Sequence, residues 1–562
     1  MAKKGEEIIF GHNNTFNAPS ISISYKDNLF SENFDTSKQI QNSFLYSTEK
    51  DSLDEFKTLL DEKGISLSYP TKFFFRTTWK PSLTKNFFKK RVGDDNLAIF
   101  SQNVYLKNLP IVIFQIKKKI KSNSDKIFQH YKTDNQLSHA ANAVYTSTFD
   151  KCAVMVIDDF GEKFSTTFYT FQNNSFKVIY KNRASLGKLY SSVAELCNLP
   201  LDCKGHSKMT DLSLTGKFNQ SIYNFFSKKI RRRGLRFSIK FEIEDVKELK
   251  NILRSFQQIN KEDLAYTFQD FFTDTIIDLA TSLSNITKEN NLAYGGSCAL
   301  NHLTNGKILT HTPFKRIHIP SSPGDNGNSL GALLYQKYKV CKEPRSLSWP
   351  VFGSSPYLGK SFNEEKVESI LKRNHFYYEE VFEKNILLKK VSALLAQGHI
   401  IGWVQGKAEF TLRGLGNRSI LADPRDPSIK EKFQSIFEKS HFTVPFGVSV
   451  LHELGHGYFK NYQKSPYMEK SLKLKNEVVE LLPGILHKAE PVQIHSVHKE
   501  LNPTFHSLLK EFQELTKIPL LLNTNINVLK RSHAVSEEDI FSLLLTTKLK
   551  FLIIGNFIIK RR

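Results

Sequence analysis

The sequence predicts a chain of two domains that mix strands and helices, in the α/β and α+β classes. Three observations predict this. The chain has 562 residues, more than one hydrophobic core usually holds, and 40% of them are hydrophobic. Two β-rich openings in the first 180 residues are each followed by helical material. The last third alternates helical periodicity with short apolar strands.

The first domain begins with alternating residues. SISISYKDNLF (20–30) predicts a hairpin that turns at Lys26, Asp27 and Asn28. CAVMVID, KFSTTFYTF and SFKVIYK (152–181) predict a three-stranded meander, because DDFGE and QNNS separate β-rich runs. Apolar spacing of three and four residues then predicts helices in KLYSSVAELCN, DVKELKNILRSFQ and KEDLAYTFQDFFTDTIIDLATSLSNITKEN.

A segment rich in Pro, Ser and Gly separates the two domains. We place an interdomain linker at residues 346–360, between domains of residues 1–345 and 361–562. The residues from Ser361 to Glu364 have a capping-box pattern that predicts a helix start. The rest of the domain is predicted to alternate helices with strands and to close with a hairpin. The segments are helix VSALLAQG, strand HIIGWVQ, helix TFHSLLKEFQELTK, strand IPLLLNT, helix SEEDIFSLLLTTK and the hairpin KFLIIGNFIIK.

Composition limits the location and partners of the chain. No apolar run approaches 18 residues and the start lacks an apolar leader, so we expect a cytoplasmic protein without a membrane span. The five cysteines are dispersed without a CxxC pair, which indicates reduced thiols. The formal charge of +23 is compatible with a solvated lysine-rich face or with a polyanion such as RNA, the less favoured partner. A homodimer is also compatible with the sequence.

Residues 402–426, GWVQGKAEFTLRGLGNRSILADPRD, combine glycines with arginines directly after an apolar strand. Guanidinium groups offer paired donors to phosphate or carboxylate, and glycines let backbone N–H groups approach the same oxygens. The end of a strand is also where α/β folds place ligand sites. The segment therefore predicts an anion-binding loop, with a solvated surface loop as the alternative.

The string EFTLRGLGNRSILADPR within this loop resembles the signature of the O-carbamoyltransferase family. Other segments match the family in order and spacing: LSHAANAVYTSTF, VIDDFGE, GGSCALNHLTNGK, PSSPGDNGNSLGALLY and NTNINV. The resemblance implies a duplicated actin-like (ASKHA-type) amino-terminal domain that binds metal and acyl-adenylate. It also implies a YrdC-like α+β carboxy-terminal carbamoyltransferase domain that binds carbamoyl phosphate and ATP.

The activity implied by the resemblance is ATP-dependent O-carbamoyl transfer. Carbamoyl phosphate and ATP would give carbamoyl-adenylate, and the carbamoyl group would pass to a small-molecule hydroxyl, on a sugar or a natural product. Fold alone does not secure this function. A catalytically degenerate nucleotide-binding or regulatory relative remains an alternative, and a tRNA-associated protein is a more distant one.

The resemblance also implies the site residues. Asn135, His139 and Asp325 would hold Fe(II) or another divalent metal, although Asn135 stands where the family has a histidine. Arg413 and Arg418, together with His139, would act in catalysis. The nucleotide and acyl-adenylate contacts would come from Asp158, Gly161, Lys208, Gly295, Gly296, Asn301, Asn523, Thr524 and Asn527.

Three elements depart from the family pattern. The KxRE segment is replaced by Glu438, Lys439, Ser440 and His441, and the RxQ segment reads Pro491-Val492-Gln493. The family's HDASA-like opening motif is replaced by Phe16-Asn17-Ala18-Pro19-Ser20. Lost arginines weaken a phosphate pocket by roughly 1.5–3 kcal/mol for each charged hydrogen bond.

Overall fold

A computed structural model describes residues 7–13, 20–25, 28–33, 72–78, 127–159, 161, 163–199, 203–240, 260–437, 447–485, 491–526 and 536–561. Its strands in the first domain are β1 (Glu7–Asn13), β2 (Ser20–Tyr25), β3 (Asn28–Asn33), β4 (Lys72–Thr78), β5 (Ile127–Thr133), β6 (Cys152–Ile157), β7 (Thr166–Gln172), β8 (Ser175–Asn182), β9 (Ile230–Arg233), β10 (Arg236–Ile239), β11 (Asn291–Gly295) and β12 (Arg316–His318). Its helices there are α1 (Asn135–Tyr145), α2 (Leu186–Leu196), α3 (Cys203–Ser213), α4 (Gln220–Lys229), α5 (Lys261–Thr287), α6 (His302–His311) and α7 (Asn328–Leu334).

Two five-stranded sheets of the first domain have the same construction. Their strand orders are β3-β2-β1-β4-β5 and β8-β7-β6-β11-β12. In each sheet the first three strands along the chain pair antiparallel, and the last two add in parallel. The hairpin and the three-stranded meander predicted from the sequence are therefore confirmed. The two halves of the domain repeat one topology.

Helices α1 and α7 pack against each other between these two sheets. One hydrophobic cluster joins Ile9 of the first sheet and Val154 of the second to Ala140 of α1 and Leu333 of α7. Because α1 is buried on nearly all sides, its polar residues need partners inside the protein. This layer carries the first candidate site.

The second domain is built on one nine-stranded mixed sheet, ordered β13-β21-β20-β14-β15-β19-β16-β18-β17. Its strands are β13 (Tyr377–Glu380), β14 (Ile401–Val404), β15 (Arg418–Ala422), β16 (Gly447–Leu451), β17 (Lys470–Leu472), β18 (Val492–Val497), β19 (Leu520–Asn525), β20 (Phe551–Ile554) and β21 (Phe557–Lys560). Its helices are α8 (Glu364–Arg373), α9 (Lys384–Ala396), α10 (Ile429–Phe437), α11 (Gly455–Tyr458), α12 (Asn476–Val479), α13 (Pro503–Thr516) and α14 (Glu537–Thr546).

Most sequence predictions for this domain are confirmed, including the closing hairpin β20–β21 and the helix–strand pair α9–β14. This pair leads into the glycine- and arginine-rich segment of residues 402–426, called the arginine loop below. One prediction is wrong. The helix predicted from a capping box at Ser361 is capped by Asn363, whose side chain accepts from Lys366 N at 2.9 Å. Asparagine is as good an N-cap as serine, so the residue directly before the first helical position, Asn363, takes the role.

Residues 346–360 lack helix and strand but are packed. Leu358 O accepts from Ser31 N, and Tyr467 Oη donates to Ser354 O at 2.6 Å. The segment thus connects the first sheet to the second domain. The predicted helix DVKELKNILRSFQ lies outside the described residues. Within the described part of the chain, no helix is both long and apolar enough to cross a bilayer.

The two domains meet where helix α6 lies against strand β17. His302 Nδ1 is 2.7 Å from Ser471 Oγ, and Asn305 Nδ2 donates to Glu469 O at 2.8 Å. A Cβ atom at Gly306 would lie 2.0 Å from Ser471 O, so only glycine permits this approach. The close contact fixes the arginine loop of the second domain against the first.

Candidate active site

A buried cluster of one histidine and two carboxylates lies between α1 and the second sheet. His139, on α1, is 0% exposed, and its Nε2 lies 3.2 Å from Asp158 Oδ2 and 3.5 Å from Asp325 Oδ1. Its Nδ1 is 3.0 Å from Pro323 O. Because a carbonyl oxygen only accepts, Nδ1 carries a proton there, and Nε2 is left to face the carboxylates.

The two carboxylates, Asp158 and Asp325, lie in turns next to β6 and α7 of the first domain. Asp158 directly follows β6, and its Oδ1 accepts from Ser297 N at 2.9 Å. Gly296, with φ +91°, makes that turn, and a Cβ atom there would lie 2.2 Å from Ile157 O. Asp325 begins a short 3₁₀ turn before α7 and is the more accessible ligand, with a side chain 20% exposed.

The charges in the cluster are strongly coupled. Burial lowers the pKa of His139, but the charges and hydrogen bonds of Asp158 and Asp325 together outweigh burial and raise that pKa to about 10. Burial raises the pKa of Asp158, yet the adjacent imidazolium holds it below its usual value. Burial and the charge of Asp158 raise the pKa of Asp325. Two carboxylates in a buried place require a positive charge between them.

A divalent cation fits these residues. The ligand atoms of His139, Asp158 and Asp325 all lie within 4.8 Å of one another. Two ligands bound at about 2.0–2.2 Å to one ion are separated by at most about 4.4 Å, so small side-chain adjustments suffice. Asn135 lies beside them, with Nδ2 3.4 Å from Asp325 Oδ1 and a buried Oδ1 that has no partner among the described residues. The structure thus brings together the three predicted metal residues and adds Asp158.

Arg413 lies at the boundary of the two domains. Its Nη2 donates to Leu300 O of the first domain at 2.8 Å, and its Nη1 donates to Tyr467 O of the second at 3.3 Å. Burial lowers its pKa to about 10 despite the nearby charge of Glu469. It forms no ion pair with any residue that the structure describes. A half-buried cation whose partners among the described residues are carbonyl oxygens remains available to an anion.

Arg418 has a different environment. It begins β15 and is 4% exposed. Its Nη1 donates to Gln405 O and Asn417 O, and its Nη2 donates to Lys360 O and Gly406 O. Three of these bonds close the arginine loop on itself, and the bond to Lys360 O ties the loop to the segment 346–360. A ligand contact at Arg418 stays a prediction.

Asn523 connects the loop to the central strands. Its Nδ2 donates to Gly414 O at 3.1 Å and to Ser449 Oγ at 2.9 Å, while its Oδ1 is buried without a partner in the described residues. Thr524 is half-buried on the same strand, and its carbonyl lies close to Gly414. Asn527 lies outside the described residues. Asn523 therefore contacts Gly414, the residue that follows Arg413.

The remaining predicted residues are placed around the first cluster or in the helical layer. Gly295 approaches His139 O, and Gly161 approaches Phe164 O. Asn301 caps α6 by accepting from Thr304 N, and its Nδ2 donates to Gln269 Oε1. Lys208 lies on α3, away from these contacts. There its charge acts on Asp211, whose pKa burial raises to about 7.

One turn of chain links the two polar regions. Ser297 binds Asp158 at the start of the 3₁₀ helix Ser297–Leu300, and Leu300 binds Arg413 at its end. Neither the place of Asp158 in the metal cluster nor the contact of Arg413 with Leu300 was predicted from the sequence. The position of Asp158 had a signal in the sequence, since a carboxylate directly after an apolar strand lies where that strand leaves the sheet. The contact of Arg413 depends on how the two domains dock, and no sequence pattern indicates it.

Two family models match the chain. One described as "Carbamoyltransferase N-terminus" matches residues 78–334, and one described as "Carbamoyltransferase C-terminus" matches residues 392–561. Together they cover more than half of the sequence, including His139, Asp158, Asp325, Arg413 and Asn523.

Several proteins are similar over most of the chain. An uncharacterised protein of Methanocaldococcus jannaschii is 28% identical over 488 residues, which cover 82% of this chain and 78% of that protein. An uncharacterised protein of Synechocystis is 29% identical over 475 residues, 76% of each chain. The nodulation protein NolNO of Sinorhizobium fredii is 27% identical over 444 residues, which cover 76% of this chain and 63% of that protein.

Likeness to solved structures is weaker. The crystal structure of full-length HypF in the phosphate- and nucleotide-bound form is 12% identical, with a TM-score of 0.37, over 61% of this chain and 48% of that one. The family assignment therefore depends on the two sequence models, which match both domains in order. The chain belongs to the carbamoyltransferase family.

Proposed function

We propose that this carbamoyltransferase is an ATP-dependent O-carbamoyltransferase that acts on a hydroxyl of a sugar or natural product. One observation carries the proposal. The single 3₁₀ turn Ser297–Leu300 contacts Asp158 of the buried cluster at one end and Arg413 of the signature loop at the other. An activated carbamoyl group made beside Arg413 would therefore have a short path to the cluster.

The first half-reaction takes place beside the arginine loop. Water cleaves carbamoyl phosphate to phosphate and carbamate, and a carbamate oxygen attacks the α-phosphorus of ATP. Pyrophosphate leaves, and carbamoyl-adenylate is formed. Arg413 stabilises the negative charge that develops on the phosphate oxygens, because a preoriented cation in a buried place acts strongly there. Asn523, whose Nδ2 donates to Gly414 O and whose Oδ1 accepts nothing from the described residues, would orient the donor.

The second half-reaction takes place at the cluster of His139, Asp158 and Asp325. The acceptor oxygen attacks the carbamoyl carbon, its proton is lost to a base, and AMP leaves with the electrons of the broken C–O bond. A divalent cation, Fe(II) or another, bound by these residues would polarise the acceptor hydroxyl. Asp325, the ligand with the greatest exposure, would be the side of the cluster that the acceptor reaches.

The domain assignment belongs to the same proposal. The repeated strand order of the two five-stranded sheets supports a duplicated actin-like domain in residues 1–345. The nine-stranded mixed sheet, with the arginine loop after β14, supports a YrdC-like donor domain in residues 361–562. Residues 346–360 would then join them as a packed segment rather than a free tether.

The test is release of pyrophosphate and AMP from ATP by the purified protein, with and without carbamoyl phosphate and ferrous iron. We expect release that depends on carbamoyl phosphate, before any acceptor is known. ATP binding by calorimetry without release would reject the enzyme and favour a nucleotide-binding relative. RNA binding that weakens steeply with salt would instead favour a tRNA-associated protein.

A further inference from the structure

A fully buried asparagine, Asn328, touches two of the proposed metal ligands with one atom. Its Nδ2 lies 3.1 Å from His139 Nε2 and 3.2 Å from Asp325 Oδ1. Asn328 follows Asp325 by three residues, at the start of α7, and its side chain therefore lies over the same turn. This is the position that a further ligand of the same cation would occupy.

Asn135 lies on the other side of Asp325. It precedes His139 by one helical turn on α1, and its Nδ2 lies 3.4 Å from Asp325 Oδ1. Residues at i and i+4 on a helix share one face, so both side chains address the same point. Both Asn135 and Asn328 are 0% exposed. Two amides thus border the cluster without access to bulk water.

One atom of each amide receives no hydrogen bond from the part of the chain that the structure describes. The Oδ1 atoms of Asn135 and Asn328 are buried and accept no hydrogen bond from the described residues. The oxygen and nitrogen of an amide have nearly the same shape, so a half-turn of the side chain exchanges them. Since the described residues offer no donor to either Oδ1 where it now lies, that oxygen gives up no hydrogen bond when the side chain turns, and the charge at the centre decides the orientation. A cation there favours both oxygens inward.

We propose that Asn135 and Asn328 supply amide oxygens to a divalent cation held by His139, Asp158 and Asp325. The site then has one nitrogen and four oxygen donors. Carboxylate and carbonyl oxygens suit hard cations such as Mn²⁺ and Mg²⁺, whereas imidazoles suit zinc and copper. Asn135 and Asn328 therefore shift the preference of the site towards a hard cation. The inference rests on the metal site of the proposed function and specifies its ligands and ion class.

The test compares Mn²⁺ with Zn²⁺, because nearly every site with nitrogen and oxygen ligands binds Zn²⁺ more tightly and only the ratio of affinities is informative. Isothermal titration calorimetry would be run on the chelator-treated full-length protein and its variants, without carbamoyl phosphate or ATP. We expect Asn135→His to increase the preference for Zn²⁺ over Mn²⁺ at least about tenfold. Asn328→Ala should weaken Mn²⁺ binding by about tenfold or more.

Asn142→Ala is the matched control. Asn142 is equally buried on α1, but its Nδ2 donates to Ser322 O at 2.8 Å, so it should leave Mn²⁺ affinity unchanged. Asn328→Asp keeps an oxygen donor and should bind Mn²⁺ at least as tightly as the wild type. It also serves if Asn328→Ala fails to fold, as judged by circular dichroism.

A ratio of Zn²⁺ to Mn²⁺ affinity in Asn135→His within threefold of the wild-type ratio would overturn the proposal. So would wild-type Mn²⁺ affinity in folded Asn328→Ala, weaker binding in folded Asn328→Asp, or no Mn²⁺ binding by the wild type. The proposed activity fails separately, because a protein that binds Mn²⁺ as expected yet releases no pyrophosphate contradicts only the reaction.

Discussion

Replacing Arg413 by alanine tests the link between the two polar regions. The change removes two charge-assisted hydrogen bonds, at 2.8 Å to Leu300 O and 3.3 Å to Tyr467 O. A hydrogen bond to a charged group contributes about 1.5–3 kcal/mol. Loss of one such contact to a reacting phosphate in the transition state slows the step about 10- to 100-fold, since 1.4 kcal/mol is a factor of ten.

The assay is pyrophosphate release from ATP in the presence of carbamoyl phosphate. Arg425→Ala is the control, because Arg425 lies on the same loop but pairs with Asp423 at 2.6 Å near the surface. We expect Arg425→Ala to keep wild-type rates and Arg413→Ala to lose at least tenfold while remaining folded by circular dichroism. A folded Arg413→Ala variant within threefold of the wild type would refute the role given to this arginine.

Three further predictions concern the domain contact and the cluster. Gly306→Ala places a methyl group 2.0 Å from Ser471 O and should lower the free energy of unfolding by about 1–3 kcal/mol in thermal or denaturant unfolding; unchanged stability would mean that α6 and β17 are not tightly docked. Burial and then the charge of Arg413 lower the pKa of His302 to about 3, below its unfolded value of about 6.5. The stability from this group is therefore fully present well above pH 6.5 and falls as the pH drops, by about 1.6 kcal/mol between pH 6.5 and 5. His302→Gln should remove that part of the slope. Elemental analysis after chelator-free purification should find close to one divalent ion per wild-type chain and less than about one-tenth in His139→Ala; equal contents would contradict the cluster as its site.

Local patterns predicted much of the architecture. The hairpin around Tyr25 and Asn28 and the closing hairpin at Gly555 follow from alternation and turn residues, which act over a few positions. The start of α8 at Asn363 rather than at Ser361 shows the limit of that approach, because two good capping residues within one turn compete and the final choice depends on packing.

The candidate site was predictable where the ligands share one element. Asn135 and His139 share a face of α1 because four residues make about one helical turn, and the structure places them together. Asp158 joins them from 19 residues away in sequence, and Leu300 meets Arg413 across the domain contact. Such pairings are set by how sheets and domains pack, which spacing in the sequence does not encode.

The contact between α6 and β17 also bears on whether residues 361–562 can exist as a separate protein. Strand β17 is three residues long and forms one edge of the nine-stranded sheet. In the whole chain His302, Asn305 and Gly306 cover its outer side. An isolated fragment of residues 361–562 would present that edge as a template for pairing with other copies. Self-association of the fragment, and its relief by adding back the amino-terminal half, would then report on how α6 shields the strand.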